Sequence, residues 1–205
     1  MSTISFYTNP MSRGQIARWA LHEAGADYEQ VLLDYGTTMK ADDYLAINPM
    51  GKVPAIAHNG KVVTEGPAIC AYLAAAFPEA GLAPGVDEQA DYFRWLFFTA
   101  GPVEAAITNR TLGFDVPPDK ERTAGYGNYD RVVDVLDNKF QSDPYVCGSR
   151  FTMADVYVGA QVIWGTQFGT LPTRESFVAY AARLIDRDAY KAAKAIDDGL
   201  IAENS

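Results

Sequence analysis

The chain has 205 residues, of which 48% are hydrophobic, so it can fill the core of one large domain or two small ones. A formal net charge of -9 with no basic block argues against nucleic acid and anionic membrane surfaces as partners. No apolar run reaches the length of a membrane span, and the opening Met1–Ser5 has neither the charged region nor the apolar stretch of a secretory leader. Cys70 and Cys147 form no metal-ligand spacing; the reading is therefore a metal-free, cytoplasmic protein.

Ile4–Tyr7 alternates as a short strand until Asn9-Pro10 breaks it. From Ser12 the period changes: Ile16, Ala17, Ala20, Leu21 and Ala24 recur at helical spacing, Ser12 and Gln15 stand at capping-box spacing, and Gly25 supplies the stop. Tyr28–Leu33 reads as a second strand and Lys40–Ile47 as a short helix ended by Asn48-Pro49. Two further strands, Val53–Ala57 and Lys61–Thr64, are joined at Asn59-Gly60, the signature of a type I′ turn. A helix starts at Pro67 and runs to about Phe77, with proline near its favoured first position.

These elements follow one another as βαβ, α, then ββα. Residues 1–77 form an α/β domain, the Pro/Gly-rich 78–86 a linker, and 87–205 an all-helical domain, with an aromatic-rich helix from Asp87 and further helices over about 119–140, 152–165, 173–185 and 188–200. Thr152 and Asp155 have capping-box spacing, flanked by Phe151 and Val156 as a hydrophobic staple. His22 and His58 are read as surface residues.

The stretch Asn48-Pro49-Met50-Gly51-Lys52-Val53-Pro54 has a chemical meaning of its own. A strand that begins at a proline cannot complete its ladder there, so the backbone of Val53 stays available to an outside peptide. Just beyond the hairpin, Glu65 and Gly66 precede a helix start, where unpaired N–H groups attract a carboxylate.

Four segments in this order, Tyr7–Arg13, Asn48–Pro54, Glu65–Ile69 and Gly148–Asp155, resemble those of the cytosolic glutathione transferases over essentially the whole chain, of a bacterial, serine-type rather than cysteine-type active site. The resemblance implies a thioredoxin-like first domain, a cis peptide bond before Pro54, and glutathione as co-substrate. Val53 would pair its backbone with the cysteinyl part of glutathione, Glu65 would accept from the γ-glutamyl ammonium, Gly66 would meet the γ-glutamyl carboxylate, and Lys52 would approach the glycyl carboxylate. Gly66 stands where the family usually has serine or threonine, so one side-chain donor is missing, worth about 1 kcal/mol.

Two readings of Ser12 stand side by side. Its hydroxyl, with the backbone of Arg13 nearby, would stabilise the glutathione thiolate, since a free thiol near pKa ~8.5 is mostly protonated at neutral pH; or it is an N-cap whose hydroxyl its own helix occupies. Tyr7 and Asn9 are rivals for the same task. No cysteine occurs before Cys70, which disfavours mixed-disulfide chemistry, and Cys70 itself reads as an inert core thiol.

The resemblance further implies that Met11, Arg110, Phe114 and Trp164 wall the site for a small electrophile. It also implies a homodimer in which the helix after Asp87 packs on the partner's first domain. Detoxification by conjugation is the expected activity. A non-catalytic binding or interaction module and a glutathione-dependent peroxidase are the alternatives.

Overall fold

The computed structural model describes residues 3–203; Met1 and Ser2, part of the stretch read for a leader, and Asn204 and Ser205 lie outside them. Strands β1 (Ile4–Thr8), β2 (Tyr28–Leu32), β3 (Ala55–His58) and β4 (Lys61–Thr64) form one sheet in the order β2-β1-β3-β4. β2 runs parallel to β1, while β3 is antiparallel to both β1 and β4. The parallel pair needs a crossover, and α1 (Gly14–Glu23) provides it. On one side of β1, Ile4, Phe6 and Thr8 are fully buried. On the other, Tyr7 packs on a small cluster of Leu33, Met39, Tyr44 and Ala55. The hairpin turns at Asn59 and Gly60 with φ of 52° and 73°, both positive as a type I′ turn requires.

Several boundaries move for local reasons. α1 begins at Gly14 rather than Ser12, and the Ser12–Gln15 pair does not close a capping box, because Gln15 Nε2 donates to the Pro10 carbonyl at 2.6 Å. β3 begins at Ala55, after the Val53-Pro54 bond, which is cis. The helix read over 40–47 shrinks to α2 (Asp42–Leu45), preceded by a 3₁₀ turn at Thr38–Lys40. α3 (Gly66–Ala76) carries Pro67 in its first turn. The linker stretch is not featureless, holding 3₁₀ turns at Pro78–Ala80 and Val86–Glu88.

The helical part continues with α4 (Gln89–Phe98), a π turn at Thr99–Val103 that contains Pro102, and α5 (Glu104–Thr111). Proline has no N–H to give the ladder, so the wider turn sits where the aromatic-rich helix must absorb it. α6 (Tyr129–Ser142) starts ten residues later than the periodicity suggests, at an Asn128 cap that accepts from the Arg131 N–H at 2.9 Å. Next come α7 (Met153–Gln167), α8 (Glu175–Ile185) and α9 (Asp188–Glu203).

α7 is apolar on all sides and almost entirely buried, as a central helix must be. Asp155 in its first turn accepts from Thr152 N (2.8 Å), Thr152 Oγ1 (3.1 Å), Val146 N (2.7 Å) and Tyr180 Oη (2.9 Å). The Thr152–Asp155 capping box is therefore present, and the same carboxylate ties α8 and the preceding loop to α7.

Contacts divide the chain differently from the sequence boundaries at 77 and 87. One unit takes the residues up to Ala83 together with those from Asp186 onward; the other runs Pro84–Ile185. α9 groups with the first unit because its partners are on α1. Arg18 Nε lies 3.0 Å from Asp197 Oδ2 with both side chains 1% exposed, Arg187 Nη2 donates to Glu23 at 2.7 Å, and the rings of Trp19 and Tyr190 meet edge to face at 5.0 Å. His58 departs from the surface reading: it is buried, its Nδ1 sits 2.9 Å from Tyr72 Oη, and its ring stacks on Phe77.

Candidate functional site

Strand register brings three of the motif segments to one end of the sheet. Tyr7 of β1 pairs with Ala55 of β3, and Ala55 pairs with Thr64 of β4. The turn leaving β1 (Asn9–Arg13), the Val53-Pro54 step entering β3 and the Glu65–Gly66 step leaving β4 therefore project from the same edge. On the far side of β1, Thr8 pairs with Leu32, which adds the segment from Leu33 to Lys40 to that edge.

Val53 is half-buried, and among the described residues no hydrogen bond engages its backbone. The carbonyl of Lys52 just before it is held twice, by Tyr44 Oη at 2.6 Å and Asn48 Nδ2 at 2.8 Å. The loop is thus fixed by its own polar groups and leaves the Val53 backbone unpaired, as a strand-like guest requires, while its side chain packs on the Tyr44 cluster. Burial raises the Tyr44 phenol above its usual range, which keeps that donor protonated.

Lys40, which the sequence reading did not single out, donates from Nζ to the carbonyls of Gly51 at 2.7 Å and Met50 at 3.4 Å. It puts a second ammonium beside exposed Lys52; no local pattern joins residues so far apart. Gly51 has φ of 56°, and a Cβ there would come 2.8 Å from Lys40 Nζ and 2.9 Å from the Met39 carbonyl. Only glycine fits this bend.

Glu65 is exposed and takes φ 65°, ψ 118°. Such a conformation in a non-glycine residue costs on the order of 1–3 kcal/mol and is kept where the backbone has a task. It aims the chain into α3, whose first-turn N–H groups lack intrahelical partners. Gly66 opens that helix, and Pro67 after it contributes no N–H.

Ser12 is half-buried. Its hydroxyl donates to the Asn9 carbonyl at 2.6 Å and accepts from the Gly14 N–H at 2.9 Å. Asn9 in turn ties the turn to its neighbour: Nδ2 donates to the Leu33 carbonyl at 2.8 Å, and Oδ1 accepts from Met11 N–H at 2.9 Å. Tyr35 Oη donates to the Met11 carbonyl at 3.1 Å. The serine thus serves the helix start in this state. Tyr7 is committed to the cluster around Tyr44, the two rings 5.5 Å apart. Arg13 follows Ser12 on an exposed position.

Neither cysteine offers a thiolate. Burial pushes Cys70 up to about 12, and burial chiefly, with nearby carboxylates, pushes Cys147 up to about 11. Any reactive sulfur here has to arrive with a ligand.

Of the residues expected to wall the electrophile site, Arg110 and Phe114 line one cavity of about 110 Å³ in the helical unit, together with Tyr126, Tyr129 and Asp130. The Arg110 guanidinium stacks on the Tyr129 ring at 4.1 Å. Trp164, on α7, is not part of that lining, and Met11 belongs to the first unit, where it is 73% exposed. Among the described residues no cluster of His, Cys, Asp and Glu is placed to hold a metal ion, and no helix is long and apolar enough to cross a membrane.

A family profile described as "Glutathione S-transferase, N-terminal domain" matches residues 2–75. The chain is 28% identical over 173 residues to Glutathione S-transferase GstA of Escherichia coli O157:H7, covering 82% of this chain and 85% of that protein. It is 30% identical over 146 residues to the probable glutathione S-transferase GSTF2 of Oryza sativa subsp. japonica, covering 66% and 68%. The crystal structure of a glutathione transferase from Methylococcus capsulatus superimposes with a TM-score of 0.77 at 27% identity, over 96% of this chain and 99% of that one.

Proposed function

The chain belongs to the glutathione S-transferase family, and on that footing we propose how its residues divide the work of glutathione transfer. The observation that carries the reading is the common edge reached by the ends of β1, β3 and β4, because glutathione has one chemical group for each of the features found there. Val53 pairs its main chain with the cysteinyl residue, next to Pro54. The start of α3, with Gly66, holds the γ-glutamyl carboxylate. Glu65 accepts from the γ-glutamyl ammonium. Lys52 and Lys40 offer cations to the glycyl carboxylate. This places the sulfur toward the start of α1, near Ser12 and Arg13.

There the helix N-terminus and the Ser12 hydroxyl favour the ionised thiol. The thiol proton leaves to solvent. The sulfur lone pair then forms a bond to an electrophilic carbon, and with an aryl halide the halide departs with its bonding pair. The protein supplies positioning and electrostatics and forms no covalent intermediate. Within the first unit we assign Met11 to the electrophile; within the helical unit the Arg110–Phe114 cavity is a separate candidate pocket, and Trp164 stands outside its lining.

Ser12 must turn its proton off the Asn9 carbonyl to serve sulfur. Conjugation of glutathione to an aryl halide by wild type and by Ser12→Ala tests this assignment: kcat falls at least about tenfold in the variant if one thiolate donor is lost. An unchanged rate removes Ser12 from the mechanism and leaves it as a cap.

We further propose a homodimer. Phe93 and Phe97 stand one turn apart on α4 and are 45% and 73% exposed, an apolar pair of the kind a partner subunit covers. Two free cysteines suit a cytoplasmic location.

A further inference from the structure

One buried hydroxyl beside Ser12 has no assigned task. Thr8, the last residue of β1, is fully buried, and its Oγ1 has no hydrogen-bond partner. Buried hydroxyls are nearly always satisfied, and valine would fill the same space without an orphaned polar atom. The orphan faces Gly14: a Cβ built there would lie 1.9 Å from Thr8 Oγ1 and 2.9 Å from Ser12 Oγ. Both hydroxyl oxygens therefore crowd the space a Gly14 Cβ would take, and their separation cannot exceed those two distances together. Ser12 Oγ gives its proton to Asn9 and one lone pair to the Gly14 N–H. A hydroxyl oxygen has two lone pairs, so one remains unused.

We propose that Thr8 is a positioning residue for thiolate stabilisation: when Ser12 turns its proton from the Asn9 carbonyl toward the glutathione sulfur, the Thr8 hydroxyl donates to the unused lone pair of Ser12 Oγ. That bond holds the serine in its working rotamer. It also polarises the serine O–H, since a hydroxyl that accepts a hydrogen bond becomes a stronger donor. The orphan of the resting state is then the partner of the loaded one. Gly14 is the residue that lets the two oxygens approach, because any side chain there would fill the gap. The inference rests on the reading of Ser12 as the sulfur's donor.

The test is the ultraviolet titration of the thiolate of bound glutathione, with glutathione affinity measured by calorimetry, in wild type, Thr8→Val and Thr8→Ser, each also in the Ser12→Ala background. The charged groups of the surrounding segments, Arg13, Asp34, Lys40 and Lys52, are the same in every variant, so their fields cancel in the comparison. Thr8→Val is expected to raise the bound thiol's pKa by about half a unit to one unit, a fall of about three- to tenfold in kcat/KM on the acid limb, with affinity for glutathione unchanged. Thr8→Ser restores the wild-type value, and Thr8→Val has no effect once Ser12 is alanine.

A thiol pKa that stays put in Thr8→Val overturns the inference while leaving the Ser12 reading intact. A shift that persists without Ser12 overturns it too. If Ser12→Ala alone leaves the thiol pKa unchanged, or if wild type fails to bind glutathione, the parent reading fails and this inference with it.

Discussion

Removing the Asp155 carboxylate should disable the helical unit by an amount the structure lets one work out. The group is fully buried and is the acceptor for two backbone N–H groups, from Val146 and Thr152, and two hydroxyls, from Thr152 and Tyr180. In Asp155→Ala these donors lose their acceptor, at about 1–3 kcal/mol for each that finds no substitute. Against this stands the cost of burying the charge. Burial pushes the carboxyl up to about 6, opposed by the same hydrogen bonds. From an ordinary value of 3.8, that is roughly 3 kcal/mol of penalty at neutral pH, which alanine escapes. Four donors give about 4–12 kcal/mol, so the net loss is about 1–9 kcal/mol; at mid-range, about 5 kcal/mol, it is a large part of a typical domain's stability and lowers Tm by roughly 10 °C or more.

The pH dependence follows with a definite sign. A folded pKa above the unfolded one means that the folded state binds the proton more readily. Its contribution is fully present below about pH 4 and is lost as pH rises through about 6. Asp155→Asn keeps the shape but cannot titrate, so its deficit relative to wild type should be larger at pH 4.5 than at pH 7. Urea unfolding followed by tryptophan fluorescence at both pH values measures this. A deficit under about 1 kcal/mol for Asp155→Ala, or one that grows with pH for Asp155→Asn, would refute the reasoning.

Other outcomes are expected elsewhere in the molecule. Asp197→Ala leaves the buried Arg18 without its counter-ion and should cost about 3–5 kcal/mol, whereas Arg18→Met with Asp197→Leu should fall within about 1 kcal/mol of wild type by chemical denaturation. Gly66→Ser supplies the missing hydroxyl at the first residue of α3 and should tighten glutathione about fivefold by calorimetry, as one added hydrogen bond does. Phe97→Arg should shift the protein from dimer to monomer in sedimentation velocity at micromolar concentration; a wild type that is already monomeric rules out the proposed interface.

Local chemistry is where the sequence was most legible. The Asn59-Gly60 turn, the proline in the first turn of α3 and the Thr152–Asp155 box each depend on residues within one turn of one another, and each is found in place. The late start of α6 was not legible, because helical periodicity in 119–128 does not reveal that Asn128 offers a better cap. The π turn at Pro102 was equally hidden, since a proline that follows an aromatic-rich helix does not reveal whether the chain stops there or passes through a wider turn into α5.

The family and the α/β-then-helical order were determined by the sequence alone, because motif residues and turn formers carry their meaning in short range. Tertiary structure decided what those residues touch. Register set the ends of β1, β3 and β4 side by side, Lys40 reached the carbonyls beyond Asn48, and Asp155 gathered Val146 and Tyr180. It also returned the last helix to the first unit, where Arg187 bonds Glu23 across 164 residues of chain. Such pairings depend on which surfaces can be buried together once every element has formed, a sum over the whole fold that no local window contains.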